Sequence, residues 1–135
     1  MKVTKLIVHC TATPEGRDVS VSEIDAWHRA RGFRCIGYHY VVMLDGTVVR
    51  GRDESLMGAH CKGQNSCSLG IAYVGGVKAD GKTPADTRTA AQRRAMMTLL
   101  RQLRQRYPSA TIHGHREFAA KQCPCFDARA EYAAL

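Results

Sequence analysis

A chain of 135 residues with 44% hydrophobic and 24% charged side chains has the length and balance of one globular domain, with a core that needs no disulfide support. The opening stretch Met1 to His9 has too short an apolar run, broken too early by polar residues, for a secretory signal or a membrane span, so synthesis in the cytoplasm is expected. A formal charge of +8 calls for an anionic partner and leaves nucleic acid, acidic membrane and the polyanionic polymers of a bacterial envelope open.

The continuous apolar run Leu6, Ile7, Val8 predicts a buried strand over Lys5 to Cys10, with His9 at its carboxyl end. Ser20 and Glu23 form a capping box for a helix that carries Ile24 and Trp27 on one face and stops at Gly32. Aromatic and β-branched residues predict strands over Gly37 to Leu44 and Thr47 to Arg50, joined by Asp45-Gly46 as a two-residue hairpin turn. Ser55 to Ser68 is polar and glycine-rich, long enough for a loop that lines a site, and Leu69 to Val74 is a strand ended by Gly75-Gly76.

Met96, Leu99, Leu100, Leu103 and Tyr107 recur at helical spacing behind a second capping box, Thr89 and Gln92, with Pro108 as terminator. Ala110 to His113 is a short strand, and Asp127 caps a last helix running to about Ala134. Strands interleaved with helices give an α/β single domain: a central mixed β-sheet flanked by helices, with a surface groove at the strand ends.

Three soft donors point to a metal in that groove: His9, His115 in His-Gly-His-Arg-Glu, and Cys123 in Lys-Gln-Cys-Pro. Two imidazoles and a thiolate suit Zn2+, and three protein ligands leave a fourth position for water, as in catalytic rather than structural zinc sites. Zinc chemistry of this kind is amide hydrolysis. His113 competes with His115, because residues two apart on an extended strand share a side. His39 alternates with Tyr38 and so faces away from it into the core, and His28 on a helix reads as structural. Of the six cysteines, Cys10, Cys35, Cys61, Cys67 and Cys125 have no required place in this chemistry. Without a secretion signal they read as thiols, although Cys61 and Cys67 are placed to bridge a loop and Cys125 to offer a second thiolate.

Ordered motifs run over nearly the whole chain: Val-His-Cys-Thr-Ala-Thr from Val8, Gly-Tyr-His-Tyr from Gly37, Asp-Gly-Thr-Val at 45–48 and Gly-Arg-Asp-Glu at 51–54. They continue with Gly-Ala-His-Cys-Lys-Gly from Gly58, the Asn65 to Gly70 segment, Gly-His-Arg-Glu from Gly114 and Lys-Gln-Cys-Pro-Cys-Phe-Asp from Lys121. On these residues the chain resembles the type 2 N-acetylmuramoyl-L-alanine amidases, the family of small phage lysozyme amidases and peptidoglycan recognition proteins.

The resemblance implies that His9, His115 and Cys123 hold the zinc, that Tyr38 and Lys121 assist the chemistry, and that His60, Lys62 and Asn65 contact substrate. The implied reaction splits the amide between N-acetylmuramic acid and L-alanine of peptidoglycan. A bare catalytic domain without an export signal fits a monomeric phage or prophage endolysin that acts on the cell wall. Two alternatives stay within the family: a cytoplasmic amidase that recycles muropeptides, and a module that binds peptidoglycan without cutting it. The intact Cys123 favours an enzyme. Arg93, Arg94, Arg101, Arg104 and Arg106 along the long helix read as a solvated face with no nucleic-acid signature, so no nucleic-acid partner is expected.

Overall fold

Leu6, Ile7 and Val8 are fully shielded from solvent because β1 (Lys5–Cys10) has a parallel neighbour on each side, β5 (Ser68–Tyr73) and β7 (Thr111–Gly114). A strand in that position has both faces covered, which is why its apolar run is continuous rather than alternating. The computed structural model describes residues 1–135. Its five-stranded sheet has the order β4-β3-β5-β1-β7, where β3 is Tyr40–Val42 and β4 is Val48–Arg50. Only the β3–β4 pair is antiparallel, so the sheet is mixed as expected. A small side sheet pairs β2 (Thr13–Pro14) with β6 (Gly76–Val77).

Helices cover both faces. Met96, Leu99, Leu100 and Leu103 of α2 (Ala90–Arg106) pack on Leu6, Val8, Leu69, Ile71 and Tyr73, and the single-turn α3 (Ala128–Glu131) joins this cluster through Ala128. On the other face Ile24 of α1 (Val21–Ala30) meets Val19, Ile36, Val41 and Val74. Both capping boxes form: Ser20 Oγ accepts from the Glu23 amide at 3.1 Å, and Thr89 Oγ1 accepts from the Gln92 amide at 3.0 Å. Each satisfies amide donors that the first helical turn leaves without intrahelical partners.

Four expectations need correction. Trp27 is 38% exposed and lies beneath the Arg17 guanidinium, while the buried residues of α1 are Ile24 and His28, four apart. The hairpin loop is Leu44–Gly46 rather than two residues. The Gly46 amide donates to Met43 O, the Met43 amide donates to Thr47 O, and Gly46 takes φ +89° in the left-handed region open to glycine.

The strand before it starts late, because the backbone of Gly37 is engaged elsewhere. Its N–H donates to His28 Nδ1 at 2.8 Å and its carbonyl accepts from the Ala59 amide. The last helix stops at Glu131, three residues short of Ala134. Three of the five arginines of α2 have partners within the fold: Arg93 pairs with Asp86, Arg106 with Glu54, and Arg104 donates to the carbonyls of Pro108, Ala110 and Leu135.

Candidate metal centre

Register builds the site. Parallel pairing sets Val8 of β1 opposite Gly114, the last residue of β7, so the residues that follow them, His9 and His115, emerge at the same carboxyl edge with ring centroids 4.5 Å apart. Cys123 returns to that edge on the following loop, where its carbonyl accepts from the Arg116 amide at 2.8 Å and its Sγ from the Cys10 amide at 3.2 Å. One ligand atom from each of His9, His115 and Cys123 lies within 4.8 Å of the others. Cys123 Sγ is 3.9 Å from His9 Nδ1. Zinc–ligand bonds near 2.0–2.3 Å set neighbouring donors about 3.3–3.8 Å apart in a tetrahedron, so this set fits the ion with a small inward adjustment.

His113, the rival on the same strand, lies outside the group. β7 ends at Gly114 and His115 opens a 3-10 turn, which breaks the alternation that would have put both rings on one side. His113 bonds Thr111 Oγ1 at 2.7 Å and Glu117 at 2.9 Å instead. Cys125 directs its sulfur to the Gly76 carbonyl at 3.3 Å, and Cys61 and Cys67 are separate thiols.

The electrostatics suit metal binding. Burial holds His9 well below the ordinary histidine value, and His60, His115 and the Lys121 ammonium push it the same way. Burial and then Lys121 lower His115. The Cys10 side chain donating to Cys123 lowers that thiol, which favours the thiolate, while Cys10 itself is pushed up to about 12. Neutral imidazoles and a thiolate are the forms that bind a metal.

Tyr38 stands over His9 with centroids 5.2 Å apart, and burial raises its phenol, keeping it protonated at neutral pH. His39 points the other way, fully buried, donating from Nε2 to Leu56 O at 2.8 Å and accepting at Nδ1 from the Gly70 amide at 3.0 Å. Lys121 is exposed, and its charge is felt at both ligand histidines.

The loop trio His60, Lys62 and Asn65 divides. Lys62 is exposed. Asn65 Oδ1 accepts from the amides of His60 and Cys61, each at 2.9 Å, and so shapes the loop. His60 is 9% exposed, with Nδ1 2.8 Å from His9 Nε2 and Nε2 3.3 Å from Ser68 Oγ. Sequence reasoning does not find Ser68, whose only local signal is a serine at the start of a strand.

The buried histidines make stability pH-dependent. Burial lowers His28, His39 and His60, the last from 6.5 to about 3. The unfolded chain therefore binds more protons than the folded one once pH falls below 6.5, and stability is lost from there down toward the folded values. A group that stays neutral in the fold costs about 1.4 kcal/mol per pH unit in that window. Urea unfolding of the chelator-treated protein is expected to show a drop of at least about 1 kcal/mol between pH 7 and pH 5.5. A flat or rising stability would contradict the buried neutral rings.

Comparison with known proteins agrees with this geometry. The family model for N-acetylmuramoyl-L-alanine amidase matches residues 1–126. The endolysin of Escherichia phage T7 is 43% identical over 122 residues, covering 90% of this chain and 80% of that protein. The endolysin of Klebsiella phage KP32 is 42% identical over 126 residues, covering 93% and 83%. The solved structure of the N-acetylmuramoyl-L-alanine amidase LysC from Clostridium intestinale URNW superposes with a TM-score of 0.82 at 27% identity, covering 97% of this chain and 82% of that one. With its mixed sheet and its His-His-Cys group at the strand ends, the chain belongs to the type 2 N-acetylmuramoyl-L-alanine amidase family.

Proposed function

We propose that residues 1–135 act as one zinc-dependent catalytic domain, an endolysin that hydrolyses the amide between N-acetylmuramic acid and L-alanine in peptidoglycan. The observation that carries this reading is the convergence of His9, His115 and Cys123 within 4.8 Å, beside Tyr38. His9 and His115 offer neutral nitrogen lone pairs and Cys123 a thiolate held by the Cys10 amide. Bound by them, zinc supplies Lewis-acid polarisation of the scissile carbonyl and acidifies a water at neutral pH.

The chain's own groups do the rest. Lys121 places positive charge where the carbonyl oxygen becomes an oxyanion, and a preorganised charge there lowers the barrier more than it tightens substrate binding. Tyr38 keeps its proton and can orient the attacking water or pass a proton toward the leaving nitrogen. Lys62, exposed on the loop after His60, is the member of its trio free to meet the anionic glycan-peptide. Peptidoglycan is the partner, engaged by a monomer made in the cytoplasm. No helix is long and apolar enough to cross a membrane.

Purified sacculi and soluble anhydro-muropeptides, each incubated with zinc-loaded and chelator-treated protein, test this. Zinc-dependent solubilisation of sacculi is expected. Cleavage of the soluble fragments alone would replace the endolysin with a recycling amidase, and no cleavage of either by the zinc-loaded protein would refute an enzyme.

A further inference from the structure

His60 supplies no ligand atom to the His-His-Cys group, yet its ring is buried directly behind one of the three. His9 Nε2 and His60 Nδ1 are 2.8 Å apart, His60 Nε2 and Ser68 Oγ are 3.3 Å apart, and Ser68 Oγ lies 2.6 Å from the Gln64 carbonyl oxygen. The far end of this chain decides where its protons sit. A carbonyl can only accept, and two oxygens 2.6 Å apart need a proton between them, so the single hydroxyl proton of Ser68 points at Gln64.

Ser68 Oγ must then accept from His60, which puts the His60 proton on Nε2 and leaves Nδ1 as a bare acceptor. His9 must therefore donate from Nε2. Its own bare lone pair is on Nδ1, the nitrogen that faces Cys123 Sγ. The opposite polarity would place the His9 proton on Nδ1, inside the ligand cluster, and leave Ser68 without a proton for one of its two partners.

The surroundings allow His60 little freedom to leave this arrangement. A Cβ on Gly70 would lie 2.6 Å from its ring and one on Gly58 2.7 Å, so the ring occupies a slot that exists because both neighbours lack side chains. Asn65 holds the His60 amide at 2.9 Å, and the His39 ring packs edge-on with centroids 5.9 Å apart.

We infer that His60, backed by Ser68, is a positioning residue for the metal centre, holding the His9 proton on Nε2 so that Nδ1 is free to take the ion. The inference rests on the reading of His9 as a zinc ligand. Partners that fix the tautomer of a ligating histidine are worth about 10–100-fold in metal affinity.

The test uses the full chain and two readouts other than activity. Long-range proton–nitrogen NMR of metal-free protein reports the His9 tautomer, and competition with a chromophoric chelator reports zinc affinity. In the wild type, His9 should show a protonated Nε2 and an unprotonated Nδ1. His60→Leu should produce a mixture of tautomers and weaken zinc about 10–100-fold. Ser68→Ala, which leaves the slot intact, should shift both readouts the same way by a smaller factor and serves alone if His60→Leu does not fold.

A wild-type His9 protonated on Nδ1 would overturn the inference, as would folded variants with unchanged tautomer and zinc affinity. If the wild type binds no zinc, the metal reading itself fails. The tautomer comparison in metal-free protein would still decide, independently of the metal, whether His60 orients the His9 ring proton.

Discussion

Cys123→Ala is expected to strip the protein of zinc on gel filtration and to lower hydrolysis of purified peptidoglycan by at least about a thousandfold, roughly 4 kcal/mol of barrier. The size follows from what the thiolate does. It is the only anionic donor among the three ligands, and it is the one brought by a loop rather than by the sheet edge. Loss of a partner behind a ligand costs about 10–100-fold in affinity or activity, and loss of the ligand itself must exceed that. Cys123→Ser should fare little better, because a serine hydroxyl is a far weaker acid than a cysteine thiol, and the Cys10 side chain lowers the Cys123 thiol further. Metal analysis and a dye-release assay check both, and a variant that keeps stoichiometric zinc with activity within about tenfold of wild type would contradict the assignment.

The second large effect concerns stability. Arg88 has a fully buried side chain whose guanidinium donates to Asp86 Oδ1 and Oδ2 at 2.9 Å each, to Glu131 at 2.6 and 2.9 Å, and to the Tyr132 hydroxyl at 3.1 Å. It also sits 3.4 Å from the centroid of the Phe126 ring. The latch ties the segment before α2 to α3, and Phe126 connects it to the loop that carries Cys123.

Arg88→Ala removes the cation shared by Asp86 and Glu131, leaving Glu131 without its partner and Asp86 with Arg93 alone. Breaking a buried pair in this way costs about 3–5 kcal/mol, and the partial exposure of Asp86 and Glu131 places the expectation near the low end. A melting temperature lower by about 10 °C is expected, since 1 kcal/mol moves a domain of this size by several degrees. Arg88→Lys keeps the charge but not the forked geometry and should recover only part of the loss. A melting temperature within about 2 °C of wild type for Arg88→Ala would show that the network is dispensable.

The parts of this molecule that were legible in the sequence share one property: their determinants lie within a few residues of one another. Ser20 with Glu23 and Thr89 with Gln92 announce helix starts three residues wide, and the spacing of Met96, Leu99, Leu100 and Leu103 defines a face without reference to anything else. The unbroken Leu6-Ile7-Val8 run announces a strand covered on both sides. The alternation of Tyr38 and His39 separates a ring at the site from a ring in the core. The ligand candidates can be named by donor chemistry, and the family motifs choose His115 over His113 without any geometry.

What the tertiary structure alone decided depends on groups far apart in the chain. The fate of Trp27 is set by which turn of α1 meets the sheet, and the late start of β3 by the claims of α1 and Ala59 on the backbone of Gly37. The loop around Asn65 reads as a substrate wall, yet the ring of His60 is turned inward to His9, 51 residues away in sequence.

The ligand set is written in residue types, but its assembly requires parallel register between β1 and β7 to level two histidines 106 positions apart, and a return loop to bring in the sulfur. Capping, turn chemistry and periodicity act through hydrogen bonds and side-chain contacts a few residues long, so the sequence carries them openly. Register, burial and the direction of a buried proton emerge only when distant segments share one packed core, because the energies that settle them belong to the contacts between those segments.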